Sequence, residues 1–146
     1  MTQLTEHFSL EELTFSSTAQ RLGIDNTPSL EIISHLTTLA IGLELVRKSL
    51  GFPLHIDSGY RCPELNKAVG GATDSAHMQG YAADFICRQF GTPVEIVRLI
   101  ANCGFQFDKC IQEGNWTHIS FDPQARRKLL IAHFGPNGTT YSEGVA

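Results

Sequence analysis

The 146-residue chain has no Cys-x-x-Cys pair, no long apolar run and no cluster of positive charge. Its four cysteines, Cys62, Cys87, Cys103 and Cys110, lie 25, 16 and 7 residues apart. That spacing excludes the usual zinc-ribbon and thioredoxin patterns; the compartment of synthesis favours reduced thiols, and four cysteines allow three disulfide pairings if the protein ends outside the cytoplasm. No stretch approaches the roughly 18 consecutive apolar residues of a membrane span. The first residues, Met1 to His7, lack the basic and apolar regions of a signal peptide, so synthesis in the cytoplasm is expected. Eleven Lys and Arg stand against fifteen Asp and Glu, a formal charge of −4. Nucleic acid is therefore not expected as a partner, because phosphate binding needs clustered basic residues. The nearest cluster, Arg126, Arg127 and Lys128, reads as one solvated helix face. Only 18% of residues are charged while 42% are hydrophobic, which excludes a disordered chain and suits one domain over residues 1–146.

What is present is punctuated by caps and turns. Residues 1–27 read as an N-terminal arm, with Ser9 and Glu12 at capping-box spacing. Thr27-Pro28 signals a helix start, and Ile32, Leu36, Leu39, Leu43, Val46 and Leu50 recur at helical steps before Gly51. Residues 54–58 and 82–86 read as strands, separated by a long loop with a helical turn near 64–68. Thr92-Pro93 opens a helix to about Asn102; residues 107–112 and 116–121 read as a hairpin around Glu113-Gly114-Asn115. Pro123 is expected to start a last helix to about His133, followed by a loose tail over 135–146. The pattern predicts an α+β fold, a small antiparallel sheet with flanking helices.

Two segments carry chemistry: Ser75-Ala-His77-Met-Gln-Gly80-Tyr-Ala-Ala-Asp84 and Trp116-Thr-His118. Asp84 sits within an apolar strand, where a carboxylate is costly unless a positive group lies beside it. His118 projects from a short strand on the face shared with Trp116 and Ser120. If the two strands are neighbours, His77, Asp84 and His118 converge as three ligands of a tetrahedral zinc with one position open for water, the pattern of a catalytic site. Such an ion activates water and polarises a carbonyl, so amide hydrolysis follows. A general base is still required, and Glu113, five residues before His118 at the hairpin, is the only carboxylate close to that ligand on its amino-terminal side apart from Asp108. His7, His35, His55 and His133 have no ligand-spaced partner and read as ordinary surface or core residues.

The series Ser58-Gly59-Tyr60-Arg61, Ser75-x-His77-x-x-Gly80-x-Ala82-x-Asp84 and Trp116-x-His118 resembles the zinc D-Ala-D-Ala carboxypeptidase family of hedgehog-like metallopeptidases, closest to its small phage and prophage endolysin members. The resemblance spans about Phe8 to Phe121. It implies zinc on His77, Asp84 and His118, one ion per chain, and a peptidoglycan or muropeptide substrate cut by a metal-activated water. Arg61 matches the arginine that stabilises the polarised carbonyl or anchors a substrate carboxylate. Ser75 matches a serine that helps to hold substrate; a loop-stabilising hydroxyl is the other reading. Many members carry the catalytic Glu three residues before the last His, where this chain has Asn115. Glu113 fits the small members whose acid lies slightly upstream. A monomer is expected, acting in the periplasm or cell wall after phage-type release or within a virion. The competing reading is a silent zinc-containing wall-binding or virion structural module.

Overall fold

The computed structural model describes residues 1–146. In the arm, α1 (Leu10–Thr14) is capped by the Ser9 side chain, and α2 (Ser17–Leu22), which the sequence reading did not separate, is capped by Ser16 and stopped by Gly23. The long helix α3 (Leu30–Leu50) starts later than Thr27-Pro28 suggests, because Ser29 accepts the Ile32 N–H. Its Leu36, Leu39, Leu43, Val46 and Leu50 are buried, as their spacing requires. Four further elements fall where expected: β1 (His55–Ser58), α4 (Pro63–Ala68), β2 (Ala82–Ile86) and α5 (Pro93–Ala101), the last opened by a complete Thr92–Glu95 capping box. The hairpin strands are β3 (Lys109–Glu113) and β4 (Trp116–Ser120).

The C-terminal expectation is overturned. Residues 128–135 and 138–143 form strands β5 (Lys128–Gly135) and β6 (Gly138–Glu143), not a helix and a loose tail. Ala125 and Arg127 hold left-handed φ values of 46° and 54°, which end any helix begun at Pro123. The basic cluster is not a solvated helix face either. Arg126 forms a fork with Asp108 through 2.8 Å bonds from Nε and Nη2, and Arg127 donates to the carbonyls of Cys103 and Phe105 beyond the end of α5.

The strands make one six-stranded sheet in the order β1-β2-β4-β3-β5-β6. It is mixed and not purely antiparallel, because β5 runs parallel to β3. One face packs on the helices through Ala83, Phe85, Cys110 and Ile119, which join α3 and α5 in a single core. Strand alternation sends Asp84, His118, Ile111 and Glu113 to the other face.

Candidate metal centre

Antiparallel pairing of β2 with β4 sets Asp84 directly opposite His118. His77 comes from outside the sheet, on a single 3-10 turn over Ala76–Gln79 that Ser75 caps by accepting the His77 N–H at 3.2 Å. Gly80 closes that turn with φ 78°, a left-handed value that favours glycine. The ligand atoms of His77, Asp84 and His118 all lie within 4.8 Å of one another. Asp84 Oδ1 is 3.3 Å from His77 Nε2 and 3.0 Å from His118 Nδ1. The His77 ring is fully buried, and its Nδ1–H donates to the Gly59 carbonyl at 2.8 Å. That bond leaves Nε2 as the lone-pair nitrogen facing Asp84, the usual way in which a backbone carbonyl orients a metal-binding histidine.

Burial alone would raise the Asp84 pKa, but the two imidazoles against it reverse the effect and hold its carboxyl well below the usual carboxylate range. Glu113 Oε1 lies 3.8 Å from His118 Nδ1. Its pKa is raised, chiefly by burial, with the Asp84 charge adding to the rise and His118 and Arg61 opposing it. Arg61 enters from the segment after β1, where its backbone N–H donates to the His77 carbonyl at 3.1 Å. Its guanidinium is pushed down by burial and sustained by the charges of Asp84 and Glu113, and its buried Nε has no hydrogen-bond partner. Two imidazole nitrogens and one carboxylate oxygen, from three separate segments and with one histidine already oriented, fit a tetrahedral zinc better than a hard, all-oxygen cation site.

The structure therefore brings together His77, Asp84 and His118, with Glu113 and Arg61 beside them and Ser75 under the His77 turn. The other histidines lie elsewhere: His7 pairs with Glu44 at 2.7 Å, His35 meets the Gln79 carbonyl and stacks on Tyr81, His55 lies near Asp57, and His133 meets Ser142 across the β5–β6 hairpin. Sequence reasoning missed the part played by Gly59, because a carbonyl acceptor leaves no mark in side-chain identity. Its only signal was its place in the Ser-Gly-Tyr-Arg turn.

No curated protein matches the chain. A family profile does, described as Peptidase M15, over residues 6–120, a span that holds every residue of the cluster. With most of the chain matched and a metal-competent His-Asp-His set assembled within the match, this chain belongs to the peptidase M15 family.

Proposed function

We propose that the chain is a zinc-dependent peptidase that hydrolyses peptide bonds in the stem peptides of bacterial peptidoglycan, built on the hedgehog-like form of the fold. The observation that carries this reading is the convergence of three ligand atoms within 4.8 Å of one another, with the half-buried Glu113 carboxylate 3.8 Å from His118. His77, Asp84 and His118 would hold the ion. When bound, zinc supplies Lewis acidity that makes water a nucleophile near neutral pH and polarises a carbonyl. The chain's own residues do the rest. Glu113 Oε1 accepts a proton from the attacking water and returns it to the leaving amine nitrogen, a task suited to a carboxyl whose pKa burial raises. Arg61 holds the substrate carbonyl oxygen or a terminal carboxylate through its guanidinium, which stands in the field of Asp84 and Glu113. Ser75 accepts the His77 N–H and still has its O–H free to donate to substrate. Asn115, at the commoner position of the catalytic acid, cannot exchange a proton at useful pH. Peptidoglycan as substrate and the cell wall as site of action rest on the motif resemblance.

The test is metal analysis followed by incubation with purified peptidoglycan and mass spectrometry of the released fragments. The parent is expected to carry about one zinc per chain and to release peptide fragments. Asp84→Ala should lose the metal. Glu113→Gln should keep it and lose at least about 100-fold in cleavage rate, the lower end of what general-base removal costs. Zinc without cleavage in the parent would establish the silent module instead, and a Glu113→Gln variant cutting at the parental rate would remove Glu113 from the mechanism.

A further inference from the structure

The sheet continues beyond the matched span of 6–120. Strands β5 and β6 add two strands beside Glu113, and the pleat decides which of their side chains join the metal-bearing face. Ile111, opposite His118, is level with Leu130, and Leu130 is level with Glu143. One residue beyond the Gln112–Ile131 pair, Glu113 comes level with Ala132, which is opposite Tyr141. Phe134 follows on the same face. Ala132 is thus a low floor between Glu113 and Tyr141, and taller aromatic groups stand around it.

Those aromatics are otherwise hard to account for. Phe134 is 58% exposed and Tyr141 52%, large apolar side chains on a hairpin that contributes little to the core. Phe134 lies 6.2 Å from the Trp116 ring centroid and would meet a Cβ on Gly114, so it leans over the β3–β4 turn beside Glu113. Trp116 has its Nε1–H buried with no acceptor. Burial, and after it the charges of Glu113 and Asp84, push the Tyr141 hydroxyl pKa up. Two strand spacings separate β3 from β6, about 10 Å. An extended peptide covers that in about three residues.

We propose that the C-terminal hairpin is the specificity wall of the site, with Trp116, Phe134 and Tyr141 around the Ala132 floor holding about three residues of an extended peptide substrate on one side of the scissile bond. This rests on the peptidase reading. It goes beyond that reading in requiring that the enzyme select by substrate length, since the subsite adds binding only when the peptide reaches it. The rings cover apolar side-chain surface of the bound peptide. Burying such a side chain is strong enough to be read in kinetics as roughly a tenfold effect per ring.

The experiment compares the zinc-loaded full chain with Phe134→Ala, Tyr141→Ala and Tyr141→Phe on a synthetic cell-wall pentapeptide and on the dipeptide that brackets the bond cut. Each Ala variant should raise KM for the pentapeptide about tenfold with kcat unchanged, and leave the dipeptide unaffected. Tyr141→Phe should retain most of the parental KM. Metal content should match the parent throughout. Equal losses on both substrates would make the hairpin a structural support and overturn the proposal, as would unchanged KM on the pentapeptide. Unchanged KM together with loss of a parental dimer in sedimentation would assign the face to a second copy of the chain, also overturning it. If the parent binds the pentapeptide without cutting it, the peptidase reading fails while the wall is judged by Kd: about tenfold weaker binding in the Ala variants supports it, and equal binding overturns it. A parent that neither binds nor cuts the peptide overturns both.

Discussion

Gly59 holds two parts of the molecule together with one residue. Its carbonyl accepts the His77 Nδ1–H at 2.8 Å, and a Cβ at its position would lie 2.2 Å from the Leu13 carbonyl oxygen in the arm. Next to it, the Tyr60 N–H donates to that same Leu13 oxygen at 2.8 Å. Gly59→Ala must therefore move backbone and not merely a flexible side chain. We expect a loss of about 2 kcal/mol or more in chemical denaturation, together with about tenfold weaker zinc binding by competitive chelation, because the His77 orienting bond shifts with the backbone. Asp108 offers a second prediction. The Arg126 fork lowers its pKa from the ordinary 3.8 to about 2. A carboxyl with a depressed folded-state pKa stabilises the protein fully above its unfolded value and loses that contribution as pH falls through the folded value. The window is thus about pH 4 down to pH 2, and the contribution at neutral pH is about 2 kcal/mol. In thermal unfolding across that window the parent should lose stability more steeply than Asp108→Asn, which should be the less stable of the two at pH 7.

Among the elements, α3 and the C-terminal hairpin show opposite relations between local signal and outcome. The apolar stripe of α3 is so regular that its buried residues could be named in advance, and only its start moved, to the better cap at Ser29. Within it, Gly42 faces Phe121, whose ring atoms would lie 2.5 Å from an added Cβ. Replacing a helical glycine by alanine ordinarily stabilises by about 1 kcal/mol. Here the overlap with a ring held at the core edge costs about 1–3 kcal/mol. Gly42→Ala should thus lower the denaturation midpoint, reversing the rule for exposed helix glycines. In residues 123–133, by contrast, a proline start followed by Leu129, Leu130 and Ile131 suits a helix or a strand. The parallel ladder offered by β3 and the left-handed residues Ala125 and Arg127 settle it as a strand. That choice depends on a neighbour about twenty residues away, which a local pattern does not contain.

For the molecule as a whole, Asp84 and His118 of the candidate metal cluster sit on the inner strands β2 and β4, while Phe134 and Tyr141 sit towards the far edge of the sheet, on β5 and β6. Backbone protection should follow the same gradient, since opening an edge breaks one ladder and exposes little apolar surface. In native-state hydrogen exchange the amides of Ala83, Phe85 and Ile119 are expected to be the slowest and those of 139–142 the fastest, and zinc loading should slow the central set further by binding only the folded chain. Equal protection across the sheet would contradict this picture.

The sequence by itself pointed to the residues that the fold gathers: His77, Asp84 and His118 through a carboxylate in an apolar strand and two imidazoles flanking it, Glu113 through its place at the hairpin, and Arg61 through the motif resemblance alone. It also determined α3, α5 and the inner strands, whose periodicities are local properties. Only the tertiary structure decided that Asp84 and His118 stand opposite each other, that Gly59 orients His77, and that residues 128–143 extend the sheet past Glu113. Register, carbonyl acceptors and the choice of strand partner depend on contacts between segments distant in sequence, and each is set by the sum of many weak interactions with no single residue type as its signature.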